Sequence, residues 1–400
     1  MDDVDVKGKS VLLRLDLNSE LDEKSKKILD DSRILLHAKT VKELSEKGAK
    51  VVIMAHQGRP GGDDFSTLEE HSKKLGEALG LPVKYVNDVY GEKARRAIAS
   101  LAPGDILVLE NVRTVPGEME EKTPLEHSRS EMVRNLAPLF DLYVNDAFSV
   151  AHRSQASVVG FAPVLPSAVG RVMEEELDSL HKVTEEEQKE CPCVYVLGGA
   201  KVEEAVGITN YALSNGIADR VLTGGLVAGL FLHAQGVDLG EENLNNLEKR
   251  KELRFVPDAQ EILRRFPDKV VLPQDLAINE GGKRVELAIR ELPSKYLIED
   301  VGSKTAQKYV EIVSQAKMII FHGPLGVYEN PEFAKGSKAV FNAISQTGAF
   351  TVAGGGDTMA ALHQFGLTDK ISYLSTGGGA LLDFLMGKTL PGVQVLRIKS

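Results

Sequence analysis

Apolar and polar positions along these 400 residues repeat one order: a short, nearly continuous apolar run, a turn, then a longer stretch with apolar residues three and four apart. The short runs read as strands buried on both faces and the longer stretches as helices covering them, so their alternation predicts parallel α/β sheets. In the first half, strands are predicted at Val11 to Leu17, Lys50 to Ala55, Asp105 to Leu109 and Leu142 to Asn145. Helices between them include Asp31 to Lys47, stopped by Gly48, and Thr67 to Leu79, stopped by Gly80. In the second half the strands are Cys193 to Leu197, Arg220 to Leu222, Val270 to Leu272, Met318 to Phe321, Phe350 to Ala353 and Ser372 to Leu374, each followed by a loop and a helical stretch. Pro163 and Pro166 punctuate the chain ahead of a charged helical run, Val169 to Gln188. Its Glu174-Glu175-Glu176 and Glu185-Glu186-Glu187 runs read as the solvated face of a domain connector.

Length and composition refine this picture. A chain of 400 residues exceeds one ordinary core and fits two domains, and 42% hydrophobic with 26% charged residues is a globular balance. No apolar run approaches the roughly 18 residues of a membrane span. The acidic start, Met1-Asp2-Asp3, is unlike a signal peptide, so a cytoplasmic location is expected. Cys191 and Cys193 are the only cysteines and, two apart, read as packed thiols on one strand. The net charge of −10 argues against a nucleic-acid partner. It also means that an acidic ligand can be held only where positive charge is concentrated locally.

Such concentrations stand where an α/β sheet binds ligands, just past its strands. Arg14, Arg33, Arg59, Arg113 and Arg153 punctuate the first half. Alternation along the first strand puts Arg14, Asp16 and Asn18 on one face, and a wholly buried strand would not tolerate three polar side chains in line. The second half carries glycine clusters instead: Gly198-Gly199-Ala200-Lys201, Gly224-Gly225, Gly354-Gly355-Gly356-Asp357-Thr358 and Thr376-Gly377-Gly378-Gly379. Arginine forks suit a compact phosphate or carboxylate, and glycine turns opening helices suit nucleotide phosphates. Any one arginine alone is more often solvated, and any one glycine triplet is about as often a mere tight turn. Their repetition favours two lobes holding two different anions. Asp357 fits Mg²⁺, a hard cation that takes one carboxylate together with phosphate oxygens. His37, His71, His127, His181, His233 and His363 show no partner in the sequence and read as ordinary residues. No P-loop is present, because Leu382 stands where its first glycine belongs ahead of Gly387-Lys388-Thr389. The absence of G-x-G-x-x-G removes the main support for a dehydrogenase.

Over essentially its whole length the chain resembles phosphoglycerate kinases. The matching runs are Arg14-Leu15-Asp16-Leu17-Asn18, His56-Gln57-Gly58-Arg59-Pro60, Glu110-Asn111-Val112-Arg113 and Val144-Asn145-Asp146-Ala147-Phe148. The second half adds Leu197-Gly198-Gly199-Ala200-Lys201-Val202, Gly323-Pro324-Leu325-Gly326-Val327-Tyr328-Glu329, Gly354 to Thr358, and Ser375 to Ala380. The resemblance implies two Rossmann-like, doubly wound parallel-sheet domains joined by a helix and hinge, with a cleft between them. Residues 1–167 with the C-terminal segment 388–400 would bind 3-phosphoglycerate, and 168–387 would supply the connector helix and bind ATP or ADP with Mg²⁺. By that similarity Asp16, Leu17 and Asn18 lie at the glycerate, and His56, Gln57, Gly58, Arg59, Arg113 and Arg153 lie around its phosphate. Arg33 and Lys201 attend the group in transfer, Glu329 the ribose, Asp357 the metal, and Gly354, Gly355, Gly356 and Thr358 the nucleotide phosphates. The implied enzyme moves a phosphoryl group between ATP and the carboxylate of 3-phosphoglycerate, working as a monomer on small molecules without nucleic acid or membrane. The alternative is a non-catalytic nucleotide sensor of the same fold. Departures from the commoner pattern at Glu204, Ala205, Leu226, His322, Ser149-Val150 and Ser154-Gln155 resemble the archaeal branch of the family.

Overall fold

A computed structural model describes residues 1–184 and 191–397. The chain divides into two compact units, one of Met1–Asp178 with Thr389–Ser400 and the other of Ser179–Lys388. The sheet of the first unit contains β1 (Ser10–Arg14), β2 (Lys50–Met54), β3 (Val83–Tyr85), β4 (Ile106–Val108), β5 (Leu142–Asn145) and β6 (Ser167–Val169), in the order β3-β4-β2-β1-β5-β6. Every pairing in it is parallel. Alternate residues of one strand pack into different cores: Val11, Leu13, Val51 and Ile53 on one face, Leu12, Val52, Met54 and Tyr143 on the other. Covering both faces is what makes these strands continuous apolar runs.

The second unit repeats the plan with β7 (Cys193–Leu197), β8 (Arg220–Thr223) and β9 (Val270–Val271). A small antiparallel sheet, β10 (Asp275–Glu280), β11 (Lys283–Ala288) and β12 (Ile298–Val301), follows before β13 (Met318–His322), β14 (Phe350–Gly354) and β15 (Tyr373–Ser375). The main sheet runs β15-β14-β13-β7-β8-β9, all parallel. In the first unit the strand order reverses direction between β1 and β5, and in the second between β7 and β13. Connections leave to opposite sides at such a point, opening a crevice at the carboxyl ends of the two strands. Arg14 and Asn145 end one pair, Leu197 and His322 the other.

Several expectations change. The first strand stops at Arg14, so Asp16 and Asn18 lie on the loop beyond it rather than in line along a strand. The antiparallel sheet means that β9 is followed by strands, not by the expected helix. The connector helix spans Arg171–Thr184; Val169 belongs to β6, and Glu185-Glu186-Glu187 with Gln188 lie outside the described residues. Cys191 is exposed and precedes the strand, and only Cys193 is buried within it. His37 has a partner, with Nδ1 at 3.1 Å from Asp146, and both groups are buried. Asp146 also accepts the Val172 and Met173 N–H groups, fastening the start of the connector helix to the end of β5. His71 meets the Gln57 amide oxygen at 2.9 Å, and His127 meets the carbonyls of Glu120 and Ser154. Near the C-terminus the Gly392 N–H bonds the Ala151 carbonyl, and Val395 packs with Ala147, Val150 and Val158. No helix among the described residues is long and apolar enough to cross a membrane.

Candidate active site

The end of β1, the helix that follows it (Ser32–Glu46) and the segments leaving β2, β4 and β5 carry the arginine cluster of the first unit. Arg113 is almost wholly buried, and its guanidinium bonds the Gly58 carbonyl. Burial first, and then Arg153, Arg14 and Arg59, push it down to about 10. Arg153 is lowered by burial and by Arg59. His56, 5% exposed, is held well below its ordinary value by burial and then by Arg14, Arg113, Arg153 and Arg33. Side chains scattered from residue 14 to residue 153 therefore share one positive field. Such mutual repulsion is unfavourable until an anion offsets it.

The surrounding motif residues build this field rather than add to it. Gln57 is fully buried and its amide is spent on the Ser19 backbone, the Asp64 carbonyl and His71, so its side chain serves as scaffold. Leu17 has a side chain wholly in the core and can offer only backbone. Asn111 ties the Gln57 and Ser66 carbonyls and caps the turn that presents Arg113. Asn18 accepts the Gly58 N–H at 2.8 Å. Asp16 accepts the Asn18 N–H and Ser149 hydroxyl and pairs with Arg33, whose side chain remains 39% exposed. Arg59 is exposed at the rim. Arg14 is 1% exposed and lies behind the cluster, bonded to Ser157, the Leu15 carbonyl and His56. Its charge is met by Glu118, which burial pushes up to about 7 although Arg14 and Ser157 pull it down.

Glu118 gives a prediction with a definite sign. Its folded-state value lies above the ordinary carboxylate value, so its contribution to stability is complete below about pH 4.5 and is lost as pH rises through about 7. Up to ~3 kcal/mol is at stake. Denaturant unfolding followed from acidic to mildly alkaline pH should show this loss, and Glu118→Gln should flatten it. An unchanged slope in that variant contradicts the assignment.

In the second unit, three glycine turns interlock through their backbones. The Gly198 N–H bonds the His322 carbonyl, Gly199 bonds Pro324, Gly225 bonds Leu325, and Leu226 bonds back to Gly199. A Cβ on Gly198 would stand 2.2 Å from the Pro324 carbonyl oxygen. Gly224 and Gly225 are therefore spent on close packing and not on phosphate. Gly198→Ala should destabilise the chain by about 2 kcal/mol or more, read as a lower unfolding midpoint. Unaltered stability would mean that the turns are not locked in this way.

The remaining glycines open helices. Helix Gly356–Gln364 begins after Gly355, whose φ of 94° admits glycine readily. Its first backbone bond is Met359 N–H to the Gly355 carbonyl, so the N–H groups of Gly356, Asp357 and Thr358 face out of the helix start. Thr358 is fully buried and its hydroxyl accepts the Gly323 N–H at 2.7 Å, so it steadies the neighbouring turn and only its backbone faces outward. Lys201 is exposed at the start of helix Val202–Ser214, and it lowers His322, whose value burial first and Lys201 second bring to about 4. Ala205 is 5% exposed, so helix Val202–Ser214 offers no second cation at that position. A cavity of about 320 Å³ lies between these turns and the antiparallel sheet. Gly199, Leu226, Pro324, Tyr328, Glu329 and Asp357 line it, and so does Arg250, which the sequence did not single out. Arg250 follows the end of helix Glu241–Lys249 in no recognisable motif, and only the packing of that segment brings it there.

No group of three or more metal-binding side chains occurs among the described residues, which excludes an all-protein metal cage there. Asp357, exposed in the cavity wall beside outward N–H groups, fits instead a cation shared with phosphate oxygens. A recess of about 670 Å³ in the first unit is lined by Asp88, Tyr90 and Glu110 and carries no basic group, so it does not suit an anion.

Comparison with known proteins finds relatives along nearly the whole chain. The sequence pattern of the family described as phosphoglycerate kinase matches residues 1–388. The phosphoglycerate kinase of Methanothermobacter thermautotrophicus is 46% identical over 396 residues, covering 99% of this chain and 96% of that protein. That of Pyrococcus furiosus is 44% identical over 400 residues, with coverage of 99% and 96%. The crystal structure of the Pyrococcus horikoshii phosphoglycerate kinase superposes with a TM-score of 0.90 at 41% identity, covering 100% of this chain and 98% of that one. With matches of this extent in sequence and in fold, the chain belongs to the phosphoglycerate kinase family.

Proposed function

We propose that this kinase transfers the terminal phosphoryl group of ATP reversibly to the carboxylate of 3-phosphoglycerate, giving ADP and 1,3-bisphosphoglycerate. The observation that carries the reading is the convergence of Arg113, Arg153, Arg59, Arg33 and neutral His56 in one field with too few nearby carboxylates to balance it. His56, Arg59, Arg113 and Arg153 take the 3-phosphate, with Gly58 presenting the turn between them. Asp16 and Asn18 orient the glycerate hydroxyl, and Arg33 meets the carboxylate. In the other unit the cavity takes the nucleoside, with Glu329 at the ribose. The N–H groups opening helix Gly356–Gln364 and Lys201 meet the phosphates, and Asp357 is the side chain that would hold Mg²⁺.

The chemistry explains why no acid–base pair is needed. A carboxylate oxygen attacks the γ-phosphorus, the bond from that phosphorus to the β–γ bridging oxygen breaks, and its electron pair leaves on ADP. No proton has to move, because both nucleophiles, forward and reverse, are already ionised. The obstacle is like charge: two unit charges about 4 Å apart repel by about 1 kcal/mol in water and about 4 at an effective dielectric of 20. Fixed cations and helix starts offset that repulsion in the transition state, and Mg²⁺, when bound, supplies further charge neutralisation on the phosphate oxygens.

Transfer also requires the reacting atoms to come within about 3–3.5 Å, so ligand binding would draw the two units together and exclude water. The connector helix and the Ser375-Thr376-Gly377 turn are the hinges expected to serve this. The work needs only one copy of the chain, in keeping with a cytoplasmic monomer acting on small molecules. An assay following ADP release with ATP, Mg²⁺ and 3-phosphoglycerate tests the reading. ADP should form only when all three are present; nucleotide binding without 3-phosphoglycerate-dependent ADP would make the chain a sensor. Small-angle scattering should show compaction only with both ligands, and none would remove the closing step.

A further inference from the structure

Arg14 is the one arginine of the cluster shut away from any ligand, at 1% exposure, and the reaction as described leaves it without a task. It ends β1, beside the strand that leads into His56. Its Nε donates to Ser157 Oγ at 2.9 Å, one terminal nitrogen to the Leu15 carbonyl, and the other meets His56 Nδ1 at 3.3 Å. Ser157 is itself clamped, its hydroxyl and N–H donating to the two oxygens of buried Glu118 at 2.5 and 2.9 Å. A chain Glu118–Ser157–Arg14–His56 thus runs from the core to the anion site.

A guanidinium has donors only, so the imidazole atom facing it must accept. Nδ1 therefore carries the lone pair, and the ring proton sits on Nε2. No described residue bonds Nε2, and that atom is not among the buried polar atoms lacking a partner, so it keeps access to the site. We infer that Arg14 is a positioning residue: its guanidinium fixes His56 as the Nε2–H tautomer, presenting a neutral hydrogen-bond donor to the acceptor's phosphate. This deepens the proposed function and rests on it for the identity of the ligand.

The arrangement has a physical advantage. The charges that act most on His56 are Arg14 from β1, Arg113 from the turn after β4, Arg153 from the loop after β5 and Arg33 from helix Ser32–Glu46, all positive, with Asp16 paired to Arg33 and Glu118 lying behind Arg14. One more cation would add repulsion to the empty site, whereas a neutral donor adds a hydrogen bond without charge. A second proton on His56 would have to displace the Arg14 contact, so the donor state of the ring should not change around neutral pH.

The test is nitrogen NMR of the full chain with labelled histidine, His56 being assigned by the signal lost in His56→Gln. From about pH 6 to about pH 8 the ring should stay in the Nε2–H form, with or without inorganic phosphate as the probe. In Arg14→Met it should become a mixture of the two neutral tautomers, since burial and the remaining arginines still oppose a second proton. The KM for 3-phosphoglycerate should then rise about tenfold, corresponding to one weakened hydrogen bond, while the KM for ATP holds. An Nδ1–H ring or an imidazolium in the unaltered chain overturns the inference, as does an Arg14→Met protein that keeps the Nε2–H tautomer and an unchanged KM for 3-phosphoglycerate. Should Arg14→Met not fold, the spectrum of the unaltered chain decides alone. An Nε2–H ring in a chain that makes no ADP keeps the positioning role and refutes the proposed reaction; an active kinase with Nδ1–H does the reverse.

Discussion

Lys201→Ala should lower turnover by about 10²- to 10³-fold, the usual scale for losing one transition-state donor, while the unfolding midpoint stays nearly unchanged. The side chain is exposed and its ammonium group has no hydrogen bond or ion pair among the described residues, so the fold loses little with it. The reaction loses much. Ala205 is a buried methyl one helical turn further on, so helix Val202–Ser214 has no second lysine there to share the charge. Lys201 is the cation whose field lowers His322 at the end of β13. Steady-state kinetics with both substrates saturating, beside a thermal melt, checks this. Near-normal turnover would mean that the ammonium does not meet the group in transfer.

Arg153→Gln should raise the KM for 3-phosphoglycerate by roughly 10²-fold, because a charge-assisted and potentially bidentate grip on phosphate is lost. The same change should leave the ligand-free protein as stable as before, or more stable by up to ~1 kcal/mol, since it removes a charge that Arg59 and Arg113 repel. Arg153 is half-buried, and its side-chain hydrogen bond among the described residues is to His152 at 3.4 Å, so no buried hydrogen-bond network is given up. Affinity and stability thus move in opposite directions. Thermal melts should show the variant losing the rise in midpoint that 3-phosphoglycerate gives the unaltered chain. A variant that unfolds more easily yet binds normally would identify Arg153 as structural support instead of an anion grip.

The parallel strands could be read from the sequence because burial on both faces writes them as apolar runs, and the arginine loops because such sheets put ligands at the strand ends. Leu142–Asn145 and Cys193–Leu197 have the expected bounds for that reason. The antiparallel sheet left no such mark: β11, Lys-Arg-Val-Glu-Leu-Ala, has no fully buried residue. Glycine clusters misled differently. Close backbone packing and phosphate binding both require the missing Cβ, so Gly224-Gly225 and Gly354-Gly355-Gly356 look alike until the partners of their N–H groups are known. Gln57, Thr358 and Arg14 read as ligand groups because they are polar and lie beside motifs. Their partners, among them Ser19, Gly323 and Ser157, are brought to them only by folding.

The account's central claim is that the arginine cluster holds a phosphorylated acid so that its carboxylate receives the phosphoryl group. Trapping with hydroxylamine tests this directly, since an acyl phosphate gives a hydroxamate and a phosphate ester does not. With ATP, Mg²⁺ and 3-phosphoglycerate the chain should produce hydroxamate and ADP in equal amounts, and glycerate lacking the phosphate should produce almost none. ADP without hydroxamate, or equal rates with glycerate, would contradict the claim.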